Sequence, residues 1–218
     1  YHERTVIVTI TGTNDEPVIA SGASTGLTET NATLTASGIL SVEDLDYSNT
    51  VTASVQSVVA TGTVAGILSN NAALQSMLSV TTGNVITATS TTGTITWTFN
   101  SARESFDYLA RGETLTLTYT VRATDSNADS NTLAAYHERT VIVTITGTND
   151  APVIAVGSSN SASAGLTETN STLTAGGTLS VEDLDYSNTV TASVQSVVAT
   201  GTTAGILSSN GTIQSMLS

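Results

Sequence analysis

The sequence predicts an all-β protein made of antiparallel β-sandwich units in tandem, with one or two short helical insertions. Two observations lead to this fold class: near-verbatim internal repeats and a period-two hydrophobic pattern. Residues 1–15 recur unchanged as residues 136–150, and residues 41–63 recur unchanged as residues 180–202. A repeat period of about 135 residues fits a whole domain better than a solenoid unit. We therefore interpret the chain as part of an array of similar domains.

The strands are predicted from apolar and polar residues that alternate with a period of two. This pattern is typical of half-buried strands in antiparallel sheets. Threonines occupy one face of the clearest segments, which are residues 5–11, 94–99 and 114–121. Further strands are predicted at residues 33–42, 51–59 and 84–90. Because turns rich in Gly, Asn, Asp and Ser separate these segments, a sandwich of two sheets is favoured.

Two short segments carry a helical pattern instead. In residues 70–78, apolar residues recur at helical spacing after a candidate capping residue, Asn70 or Asn71. Residues 103–110 predict one helical turn with its apolar residues turned inward. We expect both segments to cover the core at a sheet end.

Composition excludes several classes of function. The 218 residues carry 18 acidic and five basic residues, all five of them arginine, for a net charge of −13. Binding to nucleic acid requires clustered cations, so a nucleic-acid partner is not expected. There is no cysteine to form a disulfide. No apolar stretch reaches the roughly 18 residues of a membrane span, so direct membrane insertion is not expected either.

The domain boundaries are placed at the two prolines. Pro17 and Pro152 each follow an Asn-Asp pair by two residues. The predicted division is a last strand of a preceding repeat at 1–15, a complete repeat at 16–150, and the N-terminal part of the next repeat at 151–218. A short, acidic, proline-containing boundary favours a stiff joint over a flexible linker.

Acidic and amide residues recur near these boundaries. Each copy has an Asn-Asp pair, a single Glu downstream, and an Asp-Leu-Asp spacing beyond it. The residues are Asn14, Asp15, Glu29, Asp44 and Asp46 in the first copy and Asn149, Asp150, Glu168, Asp183 and Asp185 in the second. Asp125 with Asp129 forms a fourth feature, which occurs once.

These residue types point to calcium (Ca2+) as the bound ion. Calcium takes about six to eight oxygen ligands from carboxylates, carbonyls and amides. No His or Cys joins the clusters, which disfavours zinc and copper. In an extended segment, the Asp44–Asp46 spacing directs both carboxylates to one side, where they could hold one ion. The alternative is that these are solvated turn residues, since Asp and Asn favour turns.

Two segments carry a resemblance to a known family. They are residues 106–125, FDYLARGETLTLTYTVRATD, and residues 140–152, TVIVTITGTNDAP. Together they resemble the VCBS repeat, a cadherin-like, immunoglobulin-fold domain of giant bacterial surface adhesins, often of the RTX type. The resemblance implies immunoglobulin-like (cadherin-like) β-sandwich units that act as structural extenders of a secreted or cell-surface protein. It also implies calcium at the joints between repeats.

The same resemblance implies how the acidic residues divide between joints. By analogy with cadherin joints, the second joint would use Asn149, Asp150, Glu168, Asp183 and Asp185. The first joint would use Asn14, Asp15, Glu29, Asp44 and Asp46. Asp125 is followed by Ser126 where the family has glycine.

Other functions rank lower. A calcium-dependent glycan- or cell-binding adhesion module is the alternative, and it predicts exposed aromatic residues beside a loop-borne ion. We expect no enzyme, since Glu104 and Asp107 fit solvated turn residues better than a catalytic pair. His2 and His137, in identical contexts, are expected at the surface or across a strand. The expected partners are neighbouring repeats of the same chain and calcium ions, with weak self-association through sheet edges as a further option.

Overall fold

The computed structural model describes residues 1–128, 134–155, 157 and 161–217. The chain forms two compact units. The first comprises Tyr1–Ala151 together with Leu184–Ser187, and the second comprises Pro152–Asp183 and Asn188–Ser218.

The first unit is a sandwich of two β-sheets. Its strands are β1 Val18–Ile19, β2 Ala23–Thr28, β3 Thr35–Glu43, β4 Val51–Gly62, β5 Leu78–Val80, β6 Asn84–Ile86, β7 Thr92–Asn100, β8 Thr114–Ala128 and β9 Ala134–Thr146. One sheet has the order β1-β3-β7-β5 and the other the order β2-β9-β8-β4-β6. The predicted all-β sandwich is thus confirmed.

The strand order is that of an immunoglobulin-like domain. In such domains the first, second, fifth and fourth strands form one sheet, and the third, sixth and seventh form the other. Here β1, β3, β7 and β5 form the first sheet, and β4, β8 and β9 lie side by side in the second. The prediction of purely antiparallel sheets needs one correction, because β2 pairs with β9 in parallel. The chain crosses from one sheet to the other between β1 and β2, so β2 runs beside β9 in the same direction.

The period-two pattern places the core as predicted. Along β8, Leu115, Leu117, Tyr119 and Val121 are all fully buried, while the threonines between them face outward. Trp97 on β7 is also buried and lies opposite Gly38 on β3. Any Cβ at Gly38 would stand 2.6 Å from Cζ2 of the indole ring, so only glycine leaves room for it.

The helical predictions succeed in one place and fail in another. Helix α1 spans Asn71–Ser76, and the Asn70 side chain caps it by accepting a hydrogen bond from the Ala73 N–H at 2.9 Å. Residues 103–110 do not form a helical turn. Ala102 and Phe106 have φ angles of 55° and 66°, and such left-handed residues interrupt a right-handed helix. The apolar residues of this loop are nevertheless buried, as expected.

The second unit contains less regular structure. Its elements are β10 Val153–Ala155, paired antiparallel with β11 Ser180–Glu182, and α2 Asn210–Gln214. Residues 190–201 repeat the sequence of β4 without forming a strand. Residues 5–11, predicted as a strand, also form none and are exposed. In both places the described residues provide no neighbouring strand, and an isolated strand leaves its backbone groups unpaired.

Candidate metal centres

The acidic residues of the first unit gather at two ends of the sandwich. Asp44 follows the last residue of β3, whereas Glu29 follows β2 and precedes the first residue of β3. Strand β3 has nine residues, which corresponds to a length of about 30 Å. The prediction that Glu29 shares a joint with Asp44 is therefore wrong. It failed because it followed proximity in sequence, while β3 carries the chain across the whole unit between the two residues.

At one end, a turn after β3 holds the group that we name the Asp44 cluster. Its members are Asn14, Asp15, Asp44, Asp46, Asn49, Asp125 and Asn127. The Asp46 N–H donates to Oδ1 of Asp44 at 2.9 Å, which closes the turn. The Asp15 N–H then donates to Oδ2 of Asp46 at 2.7 Å. The predicted Asn-Asp pair and the Asp-Leu-Asp spacing thus come together.

Asn49 links the parts of the Asp44 cluster. Its side chain, only 2% exposed, donates to Oδ1 of Asn14 at 2.8 Å and to Oδ2 of Asp125 at 3.0 Å. The side chain of Asn127 donates to Oδ1 of Asn49 at 2.9 Å. Sequence reasoning missed Asn49 and Asn127. The signal for Asn49 was available, because this residue recurs as Asn188 within the repeated segment.

The electrostatics of the Asp44 cluster favour a cation. Asp44 is buried, and its Oδ2 has no hydrogen-bond partner among the described residues. Burial raises the pKa of the Asp44 carboxyl, and the nearby carboxylates of Asp125, Asp46 and Asp15 raise it further. A bound cation would stabilise the charged form of Asp44 against both its burial and the nearby negative charges.

At the opposite end lies the group that we name the Glu29 cluster, formed by Glu29, Asp107, Thr148, Asp150 and Asp185. Glu29 is fully buried. Its Oε2 accepts hydrogen bonds from the Thr148 N–H at 3.1 Å and from the Thr148 hydroxyl at 2.8 Å. Its Oε1 is buried without a partner in the described part of the chain. Burial raises the pKa of Glu29, and the charges of Asp150 and Asp107 add to this rise, while the bonds from Thr148 oppose it.

Asp107 and Asp150 each contribute a further carboxylate oxygen to the Glu29 cluster. Oδ1 of Asp107 and Oδ2 of Asp150 are buried and accept no hydrogen bond from the described residues. The other oxygen of Asp107 accepts from the Ser105 hydroxyl at 2.6 Å. Buried carboxylate oxygens without a donor are rare in folded proteins, and a bound cation or water would satisfy them. Sequence reasoning had set Asp107 aside as a solvated turn residue.

The two Asn-Asp pairs adopt the same local geometry. The Asp150 N–H donates to Oδ2 of Asp185 at 3.0 Å, as the Asp15 N–H does to Asp46. Within the first unit, the Tyr186 N–H also donates to the Tyr108 carbonyl at 3.1 Å. The segment Leu184–Ser187 is therefore held against the Glu29 end.

The remaining predicted site residues lie outside these clusters. Asn149 is exposed, and its side chain donates to the Asp150 carbonyl at 2.8 Å. Glu168 is exposed and Asp183 partly buried, and both belong to the second unit. Asp129 falls outside the described residues. His137 has the predicted cross-strand role, since its Nδ1 accepts from the Ile19 N–H at 2.9 Å.

Both clusters fit a hard cation in their chemistry. The side-chain atoms that could coordinate an ion are all oxygens of Asp, Glu, Asn or Thr, and calcium prefers such oxygen ligands. Among the described residues, no three His, Cys, Asp or Glu side chains converge closely enough to hold an ion alone. An ion would therefore need amide or carbonyl oxygens and water in addition to one or two carboxylates, which is common for calcium.

Comparisons with known proteins add little to this description. No family model matches the chain, and no curated protein matches it. Among solved structures, the ASH / PapD-like domain 7 of human CEP192 is similar to 66% of this chain and 92% of that chain, at 10% identity and a TM-score of 0.34. A similarity this low supports no statement about function. In the described residues, no helix is long and apolar enough to cross a membrane.

Proposed function

We propose that this chain is a structural extender, or spacer, of a bacterial cell-surface adhesin, built of VCBS-like repeats and stiffened by calcium at the joints. The observation that carries this proposal is the set of buried carboxylate oxygens without donors at both ends of one sandwich. An extender needs binding groups at the ends where it meets its neighbours. A single catalytic or ligand-binding site would not require them at both.

The proposed joint combines residues of both cluster types. In an array, Glu29 and Asp107 at the end of one repeat would lie beside the Asp44-type residues of the next repeat, with the Asn-Asp pair between them. Glu29, Asp107 and Asp150 would then bind ions from one side. The residues equivalent to Asp44, Asp46 and Asp125 would bind from the other. Asp183 and Asp185 are those equivalents of Asp44 and Asp46 in the second copy.

Calcium would act on the joint by charge neutralisation. Without an ion, the carboxylates repel one another, and burial already disfavours their charged forms. A bound ion replaces this repulsion with bonds to both units, partly offset by the cost of dehydration. A flexible string of domains would become a rod. The proposed partners are accordingly neighbouring repeats and calcium ions, with no nucleic acid, no direct membrane insertion and no catalytic activity.

The test is the dependence of stability and shape on calcium. A ligand that binds only the folded state stabilises it by about 2.7 kcal/mol when its free concentration is about a hundredfold above Kd. We expect calcium to raise the melting temperature. We also expect it to narrow the range of conformations that small-angle scattering detects, because the repeats would no longer move freely relative to one another. Glu29→Gln should reduce the rise in melting temperature, whereas Glu3→Gln, in the exposed N-terminal segment, should not. Identical melting curves in calcium and in chelator would refute the proposal.

A calcium-dependent glycan-binding module is the second candidate. Tyr47 and Tyr186 are 64% and 69% exposed, and each directly follows an aspartate of a cluster. An exposed tyrosine combines an apolar ring face with a hydroxyl that can form hydrogen bonds, which suits contact with a sugar. A glycan array probed in calcium and in chelator separates the two functions, because an extender would give no calcium-dependent signal. Loss of a signal in Tyr47→Ala would favour this second candidate.

A further inference from the structure

A cavity of about 480 Å³ opens between helix α1 and the loop that joins β7 to β8. Three segments of the first unit form its walls: residues 68–69, α1 with the following Met77, and residues 100–104. A volume of this size is typical of sites for small ligands. None of the residues that line it belongs to the Asp44 cluster or to the Glu29 cluster.

Glu104 places a buried carboxylate in the wall of this cavity. Although its sequence context predicts a solvated turn residue, Glu104 is only 8% exposed. Its Oε2 accepts hydrogen bonds from the Ser69 N–H at 3.0 Å and from the Ser69 hydroxyl at 2.7 Å. Its Oε1 accepts none from the described residues, and it is not enclosed by protein as Oε1 of Glu29 is. Because a buried charge is costly unless it is paired, this oxygen favours a cationic partner in the cavity.

The loop that carries Glu104 is held in one conformation by its own hydrogen bonds. The Glu104 N–H donates to the Ser101 carbonyl at 2.9 Å, and Oγ of Ser101 accepts from the Leu34 N–H at 2.9 Å. The Ala102 N–H donates to Oδ1 of Asn100 at 2.8 Å, although Ala102 has a φ of 55°. Such left-handed residues other than glycine are uncommon and occur preferentially at functional sites. The carboxylate is therefore in position before a ligand binds, which lowers the entropic cost of binding.

Arg103 adds the opposite charge to the same cavity. Its side chain is exposed and, among the described residues, forms no ion pair, not even with the adjacent Glu104. A guanidinium group is well suited to bind a carboxylate through two parallel hydrogen bonds. Ala73 and Met77 contribute apolar wall between these polar groups and the helix. The cavity thus combines an unpaired carboxylate oxygen, an unpaired guanidinium group and an apolar surface.

We propose that this cavity binds a small zwitterion with an apolar side chain, namely a free apolar α-amino acid. The ammonium group of the ligand donates to Oε1 of Glu104, and its carboxylate accepts from Arg103. Its side chain lies against Met77 and Ala73. A ligand with a single charge would leave one of the two polar groups without a partner. The inference does not depend on calcium in either cluster.

A titration with L-leucine, followed by nuclear magnetic resonance of the 15N-labelled protein, tests the proposal. The amide signals of Ser69, Ala102 and Glu104 should shift and reach saturation. The titration is run in calcium and in chelator, so that its outcome is separate from that of the calcium proposal. Signals that do not shift to saturation in either condition would overturn the site.

Two analogues of leucine test the need for both charges. The first, 4-methylpentanoate, lacks the ammonium group, and the second, 3-methylbutylamine, lacks the carboxylate. Each should bind more weakly than leucine by about tenfold or more, because a hydrogen bond to a charged group contributes at least that much. An analogue that binds as tightly as leucine would overturn the assignment to a zwitterion.

Two substitutions test the residues that we assign to the ligand. Glu104→Gln keeps an oxygen for the hydrogen bonds from Ser69 and removes the charge, so it should weaken leucine binding by about tenfold or more. Arg103→Gln should do the same, and its exposed position leaves the fold intact. The matched controls are Glu43→Gln and Arg111→Gln, which are exposed and do not line the cavity.

Melting temperatures show whether each variant is folded, and the Arg103 variant carries the test if the Glu104 variant is not. The analogues give a second readout, because leucine should bind Arg103→Gln no more tightly than 3-methylbutylamine does. Unchanged leucine binding in a folded variant at either position would overturn the proposal. An equal loss in the two controls would overturn it as well.

Discussion

Two stretches of identical sequence, residues 1–15 and 136–150, have different structures in one chain. The second copy contributes most of β9, which lies between β2 and β8 and buries its apolar face. The first copy forms no strand and is almost entirely exposed. The amino-acid pattern therefore decides which face is apolar. The neighbouring strands decide whether a strand forms, because an unpaired strand leaves its N–H and C=O groups without partners.

The Asp residues that end these two stretches, by contrast, make the same contact in both copies. The Asp15 N–H donates to Asp46 and the Asp150 N–H donates to Asp185, although the segments before them differ in structure. Each contact joins residues 31 or 35 positions apart, but it needs only one N–H and one carboxylate oxygen and no neighbouring strand. The geometry at the two Asn-Asp pairs therefore forms whether or not the segment before it is part of a sheet.

The largest expected effect comes from placing the same charge in the two copies. Val143→Asp buries an unpaired carboxylate in the core and should lower the free energy of unfolding by more than about 4 kcal/mol. Val8→Asp, at the equivalent exposed position, should change it by less than about 0.5 kcal/mol. Urea denaturation of both variants measures the difference. Similar losses in the two variants would show that the N-terminal segment is as well packed as β9.

A cavity comparison between the two units should give a somewhat smaller effect. Leu40→Ala removes a buried side chain and should cost about 3 kcal/mol. Leu179→Ala, at the equivalent exposed position in the second unit, should cost less than about 0.5 kcal/mol. The melting temperatures of the two variants report this directly. A large loss for Leu179→Ala would indicate a core in the second unit.

Asn49→Ala tests the amide that links the Asp44 cluster. The substitution leaves the side chains of Asn14, Asp125 and Asn127 without their partner and should cost about 1–3 kcal/mol. Asn31→Ala, at an exposed position, serves as the control. If Asn49→Ala left the free energy of unfolding unchanged, water would have replaced the hydrogen bonds of the amide without a loss of stability.

The smallest expected effect is the pH dependence of the metal-free protein. Folding raises the pKa of Glu29 and Asp44 above their ordinary values of 4.5 and 3.8, so the unfolded chain binds these protons less tightly. In chelator, stability should therefore increase as the pH falls from 7.5 through the raised pKa values toward the ordinary ones. Glu29→Gln should weaken this trend, and Glu168→Gln should leave it unchanged, because Glu168 is exposed. Thermal melts across this pH range measure both, and equal slopes for the two variants would contradict the raised pKa of Glu29.

Much of the fold could be predicted from local pattern. The alternation in residues 94–99 and 114–121 correctly identified β7 and β8. In both strands one face is apolar and the other is polar along the whole length of these segments. Strand β2 was missed, since its residues are mostly small or polar and include only one large apolar side chain, Leu27. The loop at 103–110 carries a helical pattern, but the positive φ of Phe106, and of Ala102 just before the loop, depends on tertiary packing that the pattern does not contain.

The candidate site was predictable in composition and less so in arrangement. The Asn-Asp pairs and the Asp44–Asp46 spacing were found because they are short and repeated. The position of Glu29 required the topology, which places it beside Thr148, 119 residues later in the chain. Asp107 was passed over because nothing in its local sequence indicates that the loop turns it toward Glu29.

A crystal grown in calcium, with the metal located by anomalous scattering, tests the central claim most directly. The account predicts ions within about 2.3–2.6 Å of carboxylate oxygens in the Glu29 cluster and in the Asp44 cluster. Glu29 Oε1 and Asp44 Oδ2 should be among the ligands. Anomalous maps without a peak at either cluster in millimolar calcium would contradict it.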